Sequence, residues 1–267
     1  TVHYYGTSIT EGIKRFRSQM WNAVDWDNDG DMDYIAGIDS WDDYGWDNAF
    51  DADGVWRRGP LHGWVYLIEN QDGRYVNKGK VQAEGKDIDV YGAPNPCIAD
   101  FDGDSDLDII CGEFLDALTW FENTGTRENP VFAAGRRLRN SDGEIRFHLQ
   151  MINPRVSDFN KDGFVDLVVG DEDGRVAYLK NTGKVSDAMP VYESPVYFRQ
   201  KADNVKFGAL ATPVAVDWNN DSKVDLISGN SAGEIAFIEN LTGGMDPSWA
   251  EPVLFKADGE VIRVQAG

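Results

Sequence analysis

Positive charge is scarce in this sequence. Its 267 residues carry 25 Lys and Arg against 46 Asp and Glu, a formal net charge of -21. That excludes nucleic acid and anionic membrane as partners, because both need a basic surface. Long apolar runs are missing too: nothing approaches the ~20 residues that span a bilayer, so membrane insertion is not expected. Only two cysteines occur, Cys97 and Cys111, in neither a metal nor a redox spacing. They flank one acidic loop, three residues before and three after it, so symmetric pairing of the flanking strands sets them opposite each other. Geometry across directly paired strands strains a disulfide, which makes two buried thiols the preferred reading and leaves the disulfide open. Histidines number three, and there is no HExxH and no phosphate-cradling glycine motif.

What the chain has instead is a repeated acidic loop. DWDNDGDMD (25 to 33) recurs as DFDGDSDLD (100 to 108), DFNKDGFVD (158 to 166) and DWNNDSKVD (217 to 225). Position 1 is always Asp, position 2 aromatic (Trp26, Phe101, Phe159, Trp218), position 3 Asp or Asn, positions 5 and 9 Asp, and position 8 apolar. Like charges this close repel, and solvation alone gives no reason for the regularity, so a bound hard cation is the reading. Oxygens from positions 1, 3, 5 and 9 with the carbonyl of position 7 can wrap one Ca²⁺, while Mg²⁺ fits less well because it keeps its waters. The ligand sets are Asp25, Asp27, Asp29, Asp31 and Asp33; Asp100, Asp102, Asp104, Asp106 and Asp108; Asp158, Asn160, Asp162, Phe164 and Asp166; and Asp217, Asn219, Asp221, Lys223 and Asp225. Sixteen of the 46 acids lie in these loops, and up to four Ca²⁺, one per loop, would bring the net charge to about -13.

An EF-hand also begins D-x-[DN]-x-[DN]-G, but it needs a bidentate Glu at position 12 and a following helix. Here position 12 is Ala36, Cys111, Val169 and Ser228, and each loop runs into a short apolar stretch ending in Gly: DYIAG, DIICG, DLVVG, DLISG. These read as buried strands. A second shared phrase follows, WVYLIEN (64 to 70), LTWFEN (118 to 123), VAYLKN (176 to 181) and IAFIEN (235 to 240), a strand entering a tight turn. Three copies also share a proline four residues before the first Asp (Pro96, Pro154, Pro213) where the first copy has Trp21. First Asps at 25, 100, 158 and 217 give periods of 75, 58 and 59 residues. The fold class is therefore all-β: a β-propeller of four-stranded antiparallel blades, in one domain over 1 to 267, with blades at approximately 17 to 85, 93 to 145, 151 to 205 and 210 to 260 and partial blades at both ends.

The loops, together with YGAP (91 to 94) and FGALATP (207 to 213), make the chain resemble the FG-GAP or VCBS repeats of integrin α-subunit propellers and of many bacterial secreted proteins. The resemblance covers nearly the whole chain. It implies Ca²⁺ in the aligned loops and a secreted, periplasmic or cell-surface location. Ser105 and Ser222 depart from it, standing where the family usually has Gly, at a position that calls for positive φ; those two sites are expected to be weaker.

DGEIRFHLQ (142 to 150) leads towards the third loop, and DGEVIRVQAG (258 to 267) repeats the phrase with no loop after it. The N-terminus opens with no signal peptide, and ITEGIKRF (9 to 16) resembles the approach to a first blade strand. The expectation is an internal four-blade segment of a larger propeller of about seven blades, with the remaining blades or domains on a longer parent chain. The alternative is a small closed propeller whose ends complete one blade.

Specificity is expected where the repeats differ. From the last Asp of the loop to the shared Asn there are 15 residues in blades two to four but 37 in blade one, a 22-residue insertion between its second and third strands, on the face opposite the Asp loops. SWDDYGWDNAFDADGVWRRGPLHGW (40 to 64) concentrates aromatic and charged residues, and Trp41, Trp46, Trp56, Arg57, Arg58 and His62 form a candidate glycan site. The competing reading has the Trp residues plugging the channel or covering a neighbouring blade. His62, His148, Tyr91 and Arg155 have the chemical types of a polysaccharide lyase, a base beside a cation that neutralises a carboxylate. The leading function is a calcium-stabilised extracellular propeller that binds a glycan or protein ligand. The alternatives are the propeller of a lyase or glycoside hydrolase acting on uronate- or rhamnose-containing glycans, and an integrin-like adhesion scaffold.

Overall fold

The computed structural model describes residues 4–5, 8–17, 19–44, 49–200 and 203–264. Among the described residues every regular element is a strand and none is a helix, so no helix is long and apolar enough to cross a membrane. Four antiparallel meanders follow one another, each with its strands paired in chain order. The first is Gln19–Val24, Asp33–Ser40, His62–Gln71 and Arg74–Lys80. The second is Asn95–Ala99, Asp108–Gly112, Thr119–Phe121 and Arg136–Arg137. The third is Asn153–Ser157, Asp166–Gly170, Val176–Leu179 and Val196–Tyr197. The fourth is Thr212–Val216, Asp225–Gly229, Ile235–Ile238 and Val253–Leu254. This is the four-bladed β-propeller arrangement, in which each sheet supplies one blade.

After the outer strand of each blade comes a two-residue hairpin: Gln82–Ala83 with Lys86–Asp87, Arg139–Asn140 with Gly143–Glu144, Arg199–Gln200 with Asp203–Asn204, and Lys256–Ala257 with Glu260–Val261. The matching phrases at 142 and 258 lie on two of these four. The N-terminal strand Tyr4–Tyr5 runs parallel to Arg74–Lys80 on the first blade. The stretch 9 to 16 is not a strand: Glu11 N–H donates to Ser8 O and Ile13 N–H to Thr10 O, and Ile9 is buried beside Ala36, Ile38, Tyr66 and Ile68.

The second strands are buried from end to end in blades two and three, which is why their apolar residues run on without alternation. The glycines on the second strands of blades one and three have a steric cause. A Cβ on Gly37 would sit 2.0 Å from the Pro94 carbonyl oxygen, and one on Gly170 would sit 2.1 Å from that of Ala211, where the chain enters the next blade. The YGAP and FGALATP phrases make that entry through left-handed residues, Gly92 and Ala93 in one and Gly208 and Leu210 in the other.

Residues Thr1–Ile98, Ser105–Phe114 and Thr119–Arg136 form one compact unit, and Ala99–Asp104, Leu115–Leu118 and Arg137–Gly267 a second. The first has a core of Trp26, Ile35, Val65, Ile88, Ile109 and Phe121 among others; the second is built around Phe159, Val168, Tyr178, Phe198, Leu226 and Trp249. Cys97 and Cys111 are buried thiols with no disulfide; Cys97 donates to the Ile110 carbonyl and Cys111 to that of Gly112, each at 3.3 Å.

Candidate functional site

Two left-handed residues shape every Asp loop. Positions 4 and 6 have φ of 64° and 93° at Asn28 and Gly30, 87° and 79° at Gly103 and Ser105, 61° and 89° at Lys161 and Gly163, and 61° and 70° at Asn220 and Ser222. Ser105 and Ser222 thus do occupy a positive-φ position, a cost of about 1–2 kcal/mol for a residue with a Cβ. These turns bring backbone N–H groups onto the side-chain oxygens. In the third loop Asp158 accepts from Asp162 N–H at 3.0 Å and Gly163 N–H at 3.1 Å, and Asn160 Oδ1 accepts from Asp162 N–H at 2.9 Å. The fourth loop repeats this with Asp217, Asp221, Ser222 and Asn219.

Position 9 is a bracket. Oδ1 of Asp33, Asp108, Asp166 and Asp225 accepts from the backbone N–H of Asn70, Asn123, Asn181 and Asn240 at 2.7, 2.8, 2.8 and 2.9 Å. Oδ2 of Asp33, Asp166 and Asp225 accepts from the N–H of the position-2 aromatic, Trp26, Phe159 and Trp218. Each shared Asn then accepts with its own Oδ1 from the glycine that turns the chain, Gly73, Gly125, Gly183 or Gly243. The repeated Asp and the repeated Asn are thus one hydrogen-bonded clasp, joining the start of the second strand to the end of the third. Burial pushes the Asp33 and Asp166 carboxyls above their ordinary value, against the amide donors, which favour the charged form.

The remaining carboxylates separate the loops. Among the described residues, groups of three acids whose oxygens approach within 4.8 Å of one another occur at Asp25, Asp27 and Asp29 and at Asp100, Asp102 and Asp104. In the first loop Oδ1 of Asp25, Asp27 and Asp31 is shut away from solvent with no hydrogen-bond partner. Asp31 is pushed above its ordinary value by burial and then by the charges of Asp29, Asp27, Asp72 and Asp25. Converging, partnerless carboxylate oxygens fit a hard cation. The Arg127 guanidinium donates to the carbonyls of Asp25 and Trp26 and lies 3.9 Å from Asp25 Oδ1, bracing the start of the loop. In the third loop the Asn160 amide donates to Asp162 Oδ2 at 2.7 Å. In the fourth, Lys223 meets Asp221 at 2.6 Å and, chiefly through that hydrogen bond, holds its carboxyl below the ordinary value.

The blade-one insertion leaves the end of Asp33–Ser40 away from the Asp loop. Trp41 is 6% exposed; its indole N–H donates to Asp39 at 2.9 Å, and the Arg17 guanidinium lies 5.0 Å over its ring. From there aromatic contacts run outward: Trp41 to Tyr44 at 5.5 Å, Tyr44 to Trp56 at 5.0 Å, Trp56 to Phe50 at 5.2 Å. Trp56 is 38% exposed and Phe50 63%. The tip that presents them is held by Asp51, which accepts from Val55 and Asp53 N–H and pairs with Arg57 Nε at 2.6 Å. The Val55 amide, then Arg57, hold the Asp51 carboxyl below its ordinary value. Arg58 is exposed. Trp46 lies outside the described residues.

His62 stands apart from the tip. Its Nδ1 meets Asp89 at 2.6 Å and its Nε2 meets Asp43 at 3.1 Å, and its ring stacks on Trp64 with centroids 5.1 Å apart. Tyr91 is at the edge of exposure, its hydroxyl pKa raised by burial and by Tyr44. In the second unit His148 stacks on Tyr197 at 4.4 Å, and Arg155 is half-buried with Nη1 on the Pro154 carbonyl at 3.4 Å. The four lyase-type residues therefore divide between the units, His62 and Tyr91 in the first and His148 and Arg155 in the second.

The fold and these features define a propeller with acidic loops and one specialised blade. No model of a known protein family matches the chain, and no curated protein matches it. Among solved structures it is similar to a lectin of Agrocybe aegerita described as specifically recognising non-reducing terminal N-acetylglucosamine. The TM-score is 0.44 at 17% identity, and the match covers 90% of this chain and 66% of that one, just under two thirds of the lectin's length.

Proposed function

We propose that this chain is a calcium-stabilised propeller module that binds a glycan through the tip of the blade-one insertion. The observation that carries the reading is the graded aromatic run, with Trp41 buried as an anchor and Trp56 and Phe50 offered to solvent on a tip fixed by Asp51. Exposed, preorganised rings suit the apolar faces of a sugar, and the surrounding carboxylates and Arg58 can accept from and donate to its hydroxyls. A repeated loop serves every blade alike, whereas this element occurs once, which is where specificity belongs on a repeated scaffold.

In the same reading Asp25, Asp27, Asp29 and Asp31 hold one Ca²⁺ and Asp100, Asp102 and Asp104 another. The ion neutralises the crowded carboxylates and ties each loop. Extracellular calcium modules bind at about 10⁻⁴–10⁻³ M, which suits a secreted, periplasmic or surface protein, and the resemblance of the loop motifs to FG-GAP and VCBS repeats supports the same reading.

The test is a glycan array followed by calorimetry on the parent and Trp56→Ala. Loss of a central aromatic should weaken binding about 10- to 100-fold and leave the calcium-dependent melt unchanged. A parent that binds no glycan, or a variant that binds as tightly as the parent, defeats the proposal. Ultraviolet absorbance from an unsaturated product on uronate polysaccharides would show β-elimination in place of binding alone. EDTA should lower the melting temperature and calcium restore it, since a ligand of the folded state stabilises it by mass action.

A further inference from the structure

Lys223 stands at position 7 of the fourth Asp loop, where only its backbone carbonyl enters the sequence-based ligand set. Its ammonium donates to Asp221 Oδ2 at 2.6 Å, to the Asn240 carbonyl at 3.2 Å and to the Leu241 carbonyl at 3.3 Å. An ammonium has three N–H groups and no acceptor, so these three oxygens use everything it offers. The stem lies along the turn: a Cβ on Gly243 would come within 3.2 Å of Lys223 Cγ. A second ammonium reaches the same loop, with Lys161 Nζ donating to the Ser222 carbonyl at 2.8 Å.

The loop's other oxygens are already engaged. Asp217 gives Oδ1 to Asp221 N–H and Oδ2 to Ser222 N–H, Asn219 Oδ1 accepts from Asp221 N–H, and Asp221 Oδ1 accepts from Lys223 N–H. Asp225 is spent in the clasp with Trp218 and Asn240. The first loop differs, with three carboxylate oxygens buried and accepting no hydrogen bond; the Arg127 guanidinium lies 3.9 Å from one of them, Asp25 Oδ1, and donates instead to backbone carbonyls. The fourth loop does not fit a metal in the way the first does.

We infer that the fourth loop carries its own cation. The Lys223 ammonium, tied to Asp221 and to the turn at Asn240 and Leu241, does there what calcium does in the first loop, and the fourth blade's loop is folded without metal. The contrast with the first loop rests on the calcium reading above; the lock itself does not. Two ammonium groups also repel an entering dication, so occupancy stops short of four.

Position 2 supplies a probe. It is Trp in the first and fourth loops and Phe in the second and third, so terbium luminescence excited through tryptophan reports on Trp26 and Trp218 separately. In the parent, Trp26→Phe should remove emission and Trp218→Phe should not. Lys223→Met keeps the stem and removes the charge. It should melt about 2–4 °C lower in EDTA, the shift that ~1 kcal/mol gives in a chain of this size. Calcium should restore that melt, and the variant should gain one calorimetric calcium equivalent and terbium emission that Trp218→Phe abolishes. Dimming of the parent by Trp218→Phe overturns the inference. So does a Lys223→Met variant that melts like the parent in EDTA, or one that melts lower and gains no metal. A parent that binds no lanthanide at any loop, beside a Lys223→Met that is lower-melting and rescued by calcium, removes the calcium reading of the first loops and leaves the lock standing.

Discussion

Replacing Asp166 by alanine should destabilise the third blade more than any substitution among the loop residues exposed to solvent. The carboxylate is fully buried and accepts from Asn181 N–H at 2.8 Å, Phe159 N–H at 3.1 Å and the Tyr178 hydroxyl at 2.8 Å. Truncation strands all three donors, and each buried donor left unpaired costs about 1–3 kcal/mol. With allowance for non-additivity among neighbours, the loss is about 4 kcal/mol. For a chain of this size that corresponds to a melting temperature about 10 °C lower. Asp166→Asn preserves the shape and the Oδ1 acceptor but turns an N–H₂ towards Phe159 N–H or Tyr178, so about half the loss should remain. Asp162→Ala, in the same loop but exposed, should cost under ~1 kcal/mol in EDTA. Circular dichroism melts and urea titrations of the three variants, all in EDTA, separate the clasp from any metal effect. If Asp166→Ala melts within about 2 °C of the parent, the clasp is not what holds the loop to the third strand.

Gly170→Ala should cost about 3 kcal/mol, because its Cβ would lie 2.1 Å from the Ala211 carbonyl oxygen and 2.8 Å from Pro213 Cδ. Gly73→Ala, at φ +83° with nothing within 4 Å, should cost only the backbone strain of about 1 kcal/mol; equal losses in chemical denaturation would remove the steric argument. Trp41→Ala should lose about 3–5 kcal/mol of stability, against under ~1 for the partly exposed Trp56→Ala, and a reversal of that order in urea titrations would invert the anchor and the platform. Burial first, against the Asn181 and Tyr178 hydrogen bonds, raises the Asp166 carboxyl above its ordinary value of 3.8. A group raised in the folded state contributes stability that is full below its unfolded pKa and lost as pH rises through the folded one. The stability gap between the parent and Asp166→Asn should therefore narrow from pH 4 upward; a gap that widens would place the native carboxyl below its unfolded value.

The blades were legible because period and pattern report the same thing. DLVVG and its relatives are continuous apolar runs between an acidic turn and a glycine, and a strand buried on both faces needs no alternation. The division of labour inside each loop was not legible. Asp at position 9 looks the same whether its oxygens face a metal or two backbone amides, and only the approach of Asn70, Asn123, Asn181 and Asn240 distinguishes the cases. The Asn phrase was visible in sequence, but its partner lies 15 residues away in three blades and 37 in the first, so local reading attached it to the turn alone.

The insertion shows the same limit at the level of single side chains. Trp41 and Trp56 are equivalent in composition, yet Trp41 directly follows a buried strand and is tied by Asp39, while Trp56 sits on a tip closed by Asp51. Distance along the chain from the last paired residue, Ser40 opposite His62, decides which indole is anchored and which is free to meet a ligand. The same register explains His62. It is placed by the strand pair that ends the insertion, and the neighbouring pairing of Gly63 with Val90 and Trp64 with Asp89 brings in the carboxylate on its Nδ1. The Asp43 contact on Nε2 then comes from the insertion itself. With a carboxylate on each nitrogen, the role the structure shows for His62 is to tie the insertion to the strand pair below it.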